Sequence, residues 1–215
     1  MKRLKILLTV LSLAMCSSCE KVIDMDLNQS SPVVVIEGGI SNEAGPYTIR
    51  ITQSINFDDR NVFPPVSDAV VAVSDSEGNH ELLTEVSPGL YETETTAGVP
   101  GRTYTLEVML NGRSYTATST MPDPVSLRDL SIEEGGFIGE KEKEVIAWFQ
   151  DARGQKNYYR FRATNGSLPF SRPHTFEDKA YDGAYIRYAI EPDENSDALR
   201  IEPGDSIEVE LHGVD

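Results

Sequence analysis

Cysteine is nearly missing from this chain of 215 residues: Cys16 and Cys19 are the only two, and both lie close to the N-terminus. Everything downstream therefore lacks a disulfide framework and thiolate metal ligands. Histidine is almost as scarce, and His80, His174 and His212 stand at spacings that match no metal-binding pattern. Basic side chains are few as well. Nineteen Lys and Arg against 35 Asp and Glu leave a net charge of −16, a field that repels phosphate backbones and anionic headgroups. No Lys/Arg patch with interleaved aromatics interrupts it, so nucleic acid is excluded as a partner. No apolar run approaches the roughly 20 residues of a membrane-spanning helix. The G-x-S-x-G elbow, the P-loop and the Rossmann fingerprint are all absent, and no segment carries a convincing helical periodicity.

What is present begins with a short basic region, Lys2, Arg3 and Lys5, followed by an apolar stretch from Ile6 to Met15 broken only by Thr9 and Ser12. Too short to cross a bilayer, it has the size of the apolar part of an export signal. Ser17 and Ser18 then precede Cys19, an arrangement that resembles the lipobox of bacterial lipoproteins. That resemblance implies cleavage before Cys19, diacylglycerol on its sulfur and an acyl group on its new amino terminus. Cys16 is the alternative lipidation site, with Leu13 and Ala14 upstream, but it places the bulky Met15 where the peptidase takes a small side chain. Cys19 is favoured because Ser18 fills that place. Residues 1–18 are then the signal peptide and 19–32 a tether, in which Asp24 and Asp26 alternate with Ile23, Met25 and Leu27. Each buried methylene of the acyl chains contributes about 0.8 kcal/mol to membrane attachment. The lipid supplies an anchor that the acidic body does not, and no cofactor beyond it is expected.

Residues 33–121 carry a dense strand signal. "VVVIEGGI" is a β-branched run, and "PYTIRITQSI" alternates Tyr47, Ile49 and Ile51 with Thr48, Arg50 and Thr52. "AVVAVSDSEGNHELLTEV" reads as strand, turn at Glu77-Gly78-Asn79, strand. "GLYETETTAG" and "RTYTLEVMLNGRSYTATSTM" repeat the scheme, the latter around Asn111-Gly112, a strong hairpin signal. Alternation of period two needs one dry and one wet face, so these strands must stack on a second sheet. The expectation is an all-β fold with an immunoglobulin- or fibronectin-like β-sandwich, though without the Cys-Trp-Cys spacing of a true immunoglobulin domain. "MPDPVSLRDL", residues 121–130, reads as a boundary because Pro122 and Pro124 remove donors and favour extended neighbours. A second β-rich domain, 125–215, follows. Its strands are "EVIAWFQ", "NYYRFRAT", "AYIRYAI" and "SIEVELHGV", while residues 164–183 read as loop.

Candidate chemistry is thin. Asp58-Asp59, Glu177-Asp178 and Asp193-Glu194 are adjacent pairs, and adjacent residues on a strand face opposite sides, whereas acid–base work needs convergent carboxylates. "DSEGN" at 75–79 and "DENSD" at 193–197 are oxygen-rich, as calcium prefers, but neither has the twelve-residue loop spacing. Hairpin turn and solvated loop are the simpler readings. Aromatic and Arg residues crowd one span, and Tyr158, Tyr181, Tyr185, Tyr188 and Arg172 form a candidate binding face for a glycan, peptide or protein. Core packing explains alternate members such as Tyr159, Phe161 and Ala163 equally well.

Several stretches together resemble the Bacteroidota lipoproteins grouped as domain of unknown function 4249: Cys19 to Asp24, "VVIEGGISNEAGPYTIRITQS" from Val34, "FPPVSDAVVAVSDSEGN" from Phe63, and "VSPGLYETE" from Val86. "GRTYTLEVMLNGRSYTATSTMP" from Gly101, "NYYRFRA" from Asn157, Phe176-Glu177-Asp178 with Asp182-Gly183, and the terminal "IEPGDSIEVELHGVD" extend the likeness. The resemblance implies an outer-membrane lipoprotein encoded near TonB-dependent receptors, with no established activity and no catalytic residues to carry over. Relatives continue beyond the "PGDSIEVEL" strand, so the second domain is expected to be truncated at its C-terminus. The expected function is a non-enzymatic accessory or binding component of an outer-membrane transporter, with a structural or adhesion module as the alternative. A glycan or peptide hydrolase is a third reading that three acidic side chains meeting in one cleft would favour. Glu20 and Asp24 resemble the acidic surface-export signals of that phylum, diluted by Lys21, Val22 and Ile23, and the cell surface is preferred to the periplasmic face.

Overall fold

The computed structural model describes residues 31–56, 59–135, 142–166, 168–169, 174–179, 181–190 and 201–215. The signal-like segment, the tether up to residue 30 and the acidic stretch 191–200 lie outside them. All regular structure in the described residues is strand, and no helix among them is long and apolar enough to cross a membrane.

The first unit contains β1 (Val34–Gly38), β2 (Thr48–Gln53), β3 (Val70–Asp75), β4 (His80–Leu82), β5 (Thr84–Ser87), β6 (Leu90–Glu92), β7 (Thr103–Leu110) and β8 (Arg113–Thr120). They form two four-stranded sheets in the orders β1-β2-β6-β5 and β4-β3-β7-β8. Every pairing is antiparallel. This is the strand order of an immunoglobulin-like sandwich, with one extra strand beside the third. The alternation in β2 turns Ile49 and Ile51 inward, where they meet Val71, Tyr91 and Val108 from both sheets. Each such side chain contributes about 1.5–3 kcal/mol by leaving water. At the start of β7, the Tyr104 hydroxyl donates to Ala97 O (3.1 Å) and accepts from Val99 N (2.7 Å). It thereby ties the crossover between the sheets to the strand that follows, as the tyrosine corner of such sandwiches does. The β7–β8 hairpin turns on Asn111 (φ 51°) and Gly112 (φ 76°), two left-handed residues whose twist matches the flanking strands.

The second unit holds β9 (Leu127–Gly135), β10 (Glu142–Gln150), β11 (Tyr158–Asn165), β12 (Leu168–Pro169), β13 (His174–Glu177), β14 (Tyr185–Ile190) and β15 (Ile207–Val214). One sheet runs β14-β10-β9; in the other, β11 carries β15 along one edge and β12 and β13 along the other. Val145, Ala147 and Phe149 of β10 face Tyr159, Phe161 and Ala163 of β11, with Ile186, Ile190 and Ile201 completing the core. Phe149 meets Tyr159 edge-on at 5.0 Å.

One expectation needs correction. Residues 164–183 are not simply loop, since β13 pairs with Tyr158–Phe161; its four residues are too short to show periodicity between Pro173 and the following turn. Within the 121–130 stretch, Leu127 already belongs to β9. Arg128 there is the extra residue of a bulge opposite Trp148 and Phe149, which breaks the alternation that would have revealed the strand.

The two apolar clusters share no residue. Between the units the Asp215 carboxylate accepts from Ser119 Oγ (2.8 Å) and Thr120 N (3.0 Å). A cleft of about 820 Å³ opens beside this contact, lined from both units by residues such as Ile40, Tyr104, Met121, Arg160 and His212.

Candidate functional site

The aromatic face does not assemble as one surface. In β11 the alternation sends Tyr159, Phe161 and Ala163 into the core and Tyr158 outward, with Lys156 Nζ 4.7 Å from its ring. Tyr185 projects from the opposite sheet, 55% exposed and stacked on Trp148 at 5.6 Å. Beside that pair Arg187 bonds Glu133 at 2.7 Å. Tyr188 turns the other way and stacks on Phe161 at 4.5 Å, so it belongs to the core packing. Tyr181 is 50% exposed and lies 5.8 Å from Phe176. Arg172, Cys16 and Cys19 lie outside the described residues. Tyr158 and Tyr185 thus leave the sandwich on opposite faces.

Of the two oxygen-rich loops, 75–79 lies within the described residues. The Asp75 carboxylate accepts from Glu77 N (3.0 Å), Asn79 N (2.9 Å), Asn79 Nδ2 (2.7 Å) and Arg102 Nη1 (2.8 Å). The Asn79 side chain foremost holds its carboxyl below the usual range, against a smaller opposing effect of burial. Its lone pairs are consumed by the hairpin turn. Residues 193–197 lie outside the described part of the chain.

Convergence occurs instead at one end of the second sandwich. Asp151 follows the last residue of β10, Asp178 follows β13, and Asp182 sits in the turn before β14, so three strand ends deliver three carboxylates to one point. One oxygen from each lies within 4.8 Å of the other two. Asp151 and Asp178 are each only 3% exposed, while Asp182 is open to solvent. Asp151 Oδ1 accepts from the Tyr159 hydroxyl (2.5 Å) and Asn157 Nδ2 (3.3 Å), and Oδ2 accepts from Gly183 N (2.6 Å). Asp182 Oδ1 accepts from Gly154 N (2.6 Å). The backbone of Asp178 is held at both ends, by Asn157 O (3.1 Å) and Tyr181 N (2.5 Å). Among the described residues, none of the three aspartates ion-pairs with a cation, and no buried side-chain oxygen is left without a partner. Burial, then the bond to Asp151 and that residue's charge, push the Tyr159 phenol above its ordinary range, so it stays a neutral donor. Gly183 is required by this packing: its φ is 67°, and a Cβ there would stand 2.9 Å from Arg153 Cβ.

Such a cluster can hold a hard cation or share protons. It is a poor acid–base pair for an external substrate, because Asp151 is buried and already takes three donors. Sequence reasoning missed it. Asp178 was weighed only against its neighbour Glu177, whereas its partners are 27 residues upstream and four downstream. The available signal was three Asp at strand ends, two of them beside Gly or Asn turns. The family model for domain of unknown function 4249 (DUF4249) matches residues 20–215, and no curated protein and no solved structure matches the chain.

Proposed function

The chain belongs to the DUF4249 family, and from that premise we propose that it is a non-enzymatic, lipid-anchored envelope protein serving as an accessory or binding component of an outer-membrane TonB-dependent transporter. The observation that carries the reading is the N-terminal order of basic residues Lys2, Arg3 and Lys5, apolar Ile6 to Met15, and Ser17-Ser18-Cys19. Its chemistry is that of an exported chain fixed to a bilayer by acyl groups. A body of tandem all-β units suits recognition, and the cleft between them has the size of a small-ligand or short-peptide site. Against a hydrolase stands the burial of Asp151 and Asp178. Three carboxylates do meet, but a scissile bond cannot reach between two that are 3% exposed.

Metabolic labelling with a palmitate analogue tests the anchor: the wild type carries label and Cys19→Ala loses it. Label retained in Cys19→Ala but lost in Cys16→Ala moves the site, and label in neither parent nor variant defeats the reading. Affinity capture with the intact lipidated protein tests the partner. Recovery of an outer-membrane receptor supports the accessory role, and polymerisation or adhesion to neighbouring cells without a receptor replaces it with the structural one.

A further inference from the structure

We propose that the cleft between the two units binds a short extended peptide, which adds a strand to β15 and is held at its ends by Arg160 and by Glu43 with Asp123. The assignment rests on reading the chain as a binding component and names the ligand class of its cleft. Strand edges are the first argument. Successive side chains leave a strand on opposite faces, so a cavity touches consecutive residues where it meets the strand's edge. Residues 117–119 of β8 and 210–214 of β15 line the cleft in this way, and among the described residues each strand pairs on one side only. The ladder shows which backbone groups are turned outward. Gly166 N donates to Ser206 O at 3.0 Å, and bonded pairs alternate along an antiparallel ladder. Even-numbered residues of β15 therefore bond β11, while Leu211 and Gly213 direct their N–H and C=O groups at the cleft. On β8, Thr120 N leaves the β7 side and donates to Asp215 of the second unit at 3.0 Å. Thr118, two residues earlier, carries its amide the same way. The outward N–H groups of Thr118, Leu211 and Gly213 have no acceptor among the described residues.

Charge is the second argument. Arg160 is the only Lys or Arg lining the cleft among the described residues. Its neighbours are engaged, Arg162 with Glu210 at 3.8 Å and His212 Nε2 with the same carboxylate at 3.1 Å, whereas the Arg160 guanidinium has no described partner. Glu43, from the β1–β2 connection, and Asp123, from the segment joining the units, also line the cleft, and their carboxylates are equally unpaired among the described residues. The segments that carry them are adjacent, since a Cβ on Gly98 would meet both Ser41 and Met121. A peptide's terminal carboxylate suits the guanidinium, and its terminal ammonium suits the acidic pair. Half-buried Ile40, Leu106, Met121 and Leu211 line the same space and suit apolar side chains. The volume of about 820 Å³ lies within the roughly 300–1,000 Å³ of ligand sites. A glycan offers neither an amide ladder for the strand edges nor a terminal ammonium, so an extended peptide is the occupant that uses all of these groups.

The test is calorimetric titration of the full chain with the tetrapeptide Ala-Leu-Ala-Leu, free at both ends, and with its C-terminal amide, its N-acetyl form and a copy methylated on its backbone nitrogens. The free peptide binds, and capping either end weakens binding about tenfold or more, the scale of one hydrogen bond to a charged group. The N-methylated copy cannot pair as a strand and does not bind. Arg160→Gln binds acid and amide alike, while the double variant Glu43→Gln/Asp123→Asn no longer distinguishes the free amine from the acetylated one. Arg113→Gln, on β8 but away from the cleft, keeps the wild-type preferences. All four side chains are exposed, so the variants fold, which thermal melting verifies. No heat at millimolar peptide, equal affinity for free and capped forms, binding of the N-methylated copy, or a preference for the free acid that survives Arg160→Gln overturns the assignment. Because the purified chain alone is titrated, such a failure leaves the lipid anchor and the transporter partnership to the labelling and capture experiments.

Discussion

Glu81 is a carboxylate whose removal has a calculable signature. It lies on β4, and its oxygens accept from Thr95 N (3.0 Å) and Thr96 N (2.6 Å), as well as from Glu94 N and the Thr96 hydroxyl. One side chain thereby fastens the segment after β6 in one sheet to β4 in the other. Burial pushes the carboxyl up, but the Thr96, Glu94 and Thr95 donors outweigh it and bring its pKa from 4.5 to about 2. At about 1.36 kcal/mol per pKa unit, the ionised form gains at most roughly 3 kcal/mol in the folded state, less by the share that solvent screens at this partly exposed side chain. The folded value is depressed, so that stabilisation is complete above the unfolded value of 4.5 and disappears as pH falls toward 2. Glu81→Gln keeps one acceptor and turns an amide against the Thr donors, costing about 2–3 kcal/mol at pH 7. Urea denaturation of both proteins at pH 7 and pH 3 reads the effect. Linkage requires the gap between them to shrink by about 2 kcal/mol at pH 3. Other carboxylates titrate alike in both proteins and drop out of the difference. A gap that stays constant across the two pH values refutes the reasoning.

Much of the first sandwich was legible because each strand has one dry and one wet face. Tyr47, Ile49 and Ile51 alternate with polar residues in the sequence and are all buried in the fold. Asn111-Gly112 marks a turn that no β-branched pair can make, since both residues need positive φ. The pairing of strands was less legible. Nothing local says that β6 lies between β2 and β5; that follows from Tyr91 sharing a core with Ile49 and Val71. The second unit hid three of its elements, among them the two-residue β12, for definite reasons. β13 is four residues long and paired only through β11, and β9 carries a bulge at Arg128 that shifts its later residues to the opposite face.

The candidate site was less legible than the fold because it is made entirely of long-range contacts. The turn at Asp151 and the Asp182-Gly183 dipeptide are visible as punctuation, but only the packing of β10, β11 and β13 brings their carboxylates together. The aromatic residues separate for a related reason. Tyr158, Tyr185 and Tyr188 are close in sequence, yet alternation and the two-sheet architecture send them outward on one side, outward on the other, and inward. Crowding along a β chain therefore argues for a sandwich core at least as strongly as for a binding face.

Phe161 and Gly98 probe the two cores by opposite changes in volume. Phe161→Ala empties a fully buried position against Phe149 and Tyr188 and costs about 3–5 kcal/mol, whereas Tyr185→Ala, on the exposed face, costs under about 1 kcal/mol. Equal losses in a denaturation series would mean that the inward and outward assignments are wrong. Gly98 has no room at all: a Cβ there would sit 1.8 Å from the Ser41 carbonyl oxygen, in a corner where Gly98 N donates to the Tyr47 hydroxyl at 3.1 Å. That hydroxyl also reaches the carbonyls of Ser41 (2.7 Å) and Glu43 (2.5 Å), so a displaced Gly98 disturbs three bonds at once. Gly98→Ala is expected to cost about 1–3 kcal/mol through backbone displacement. Gly39→Ala supplies the control, because its Cβ meets nothing within 4 Å, and restricting the unfolded chain makes the change neutral or slightly stabilising. If the two alanine variants unfold at the same urea concentration, the close approach of Gly98 to Ser41 does not hold this corner together.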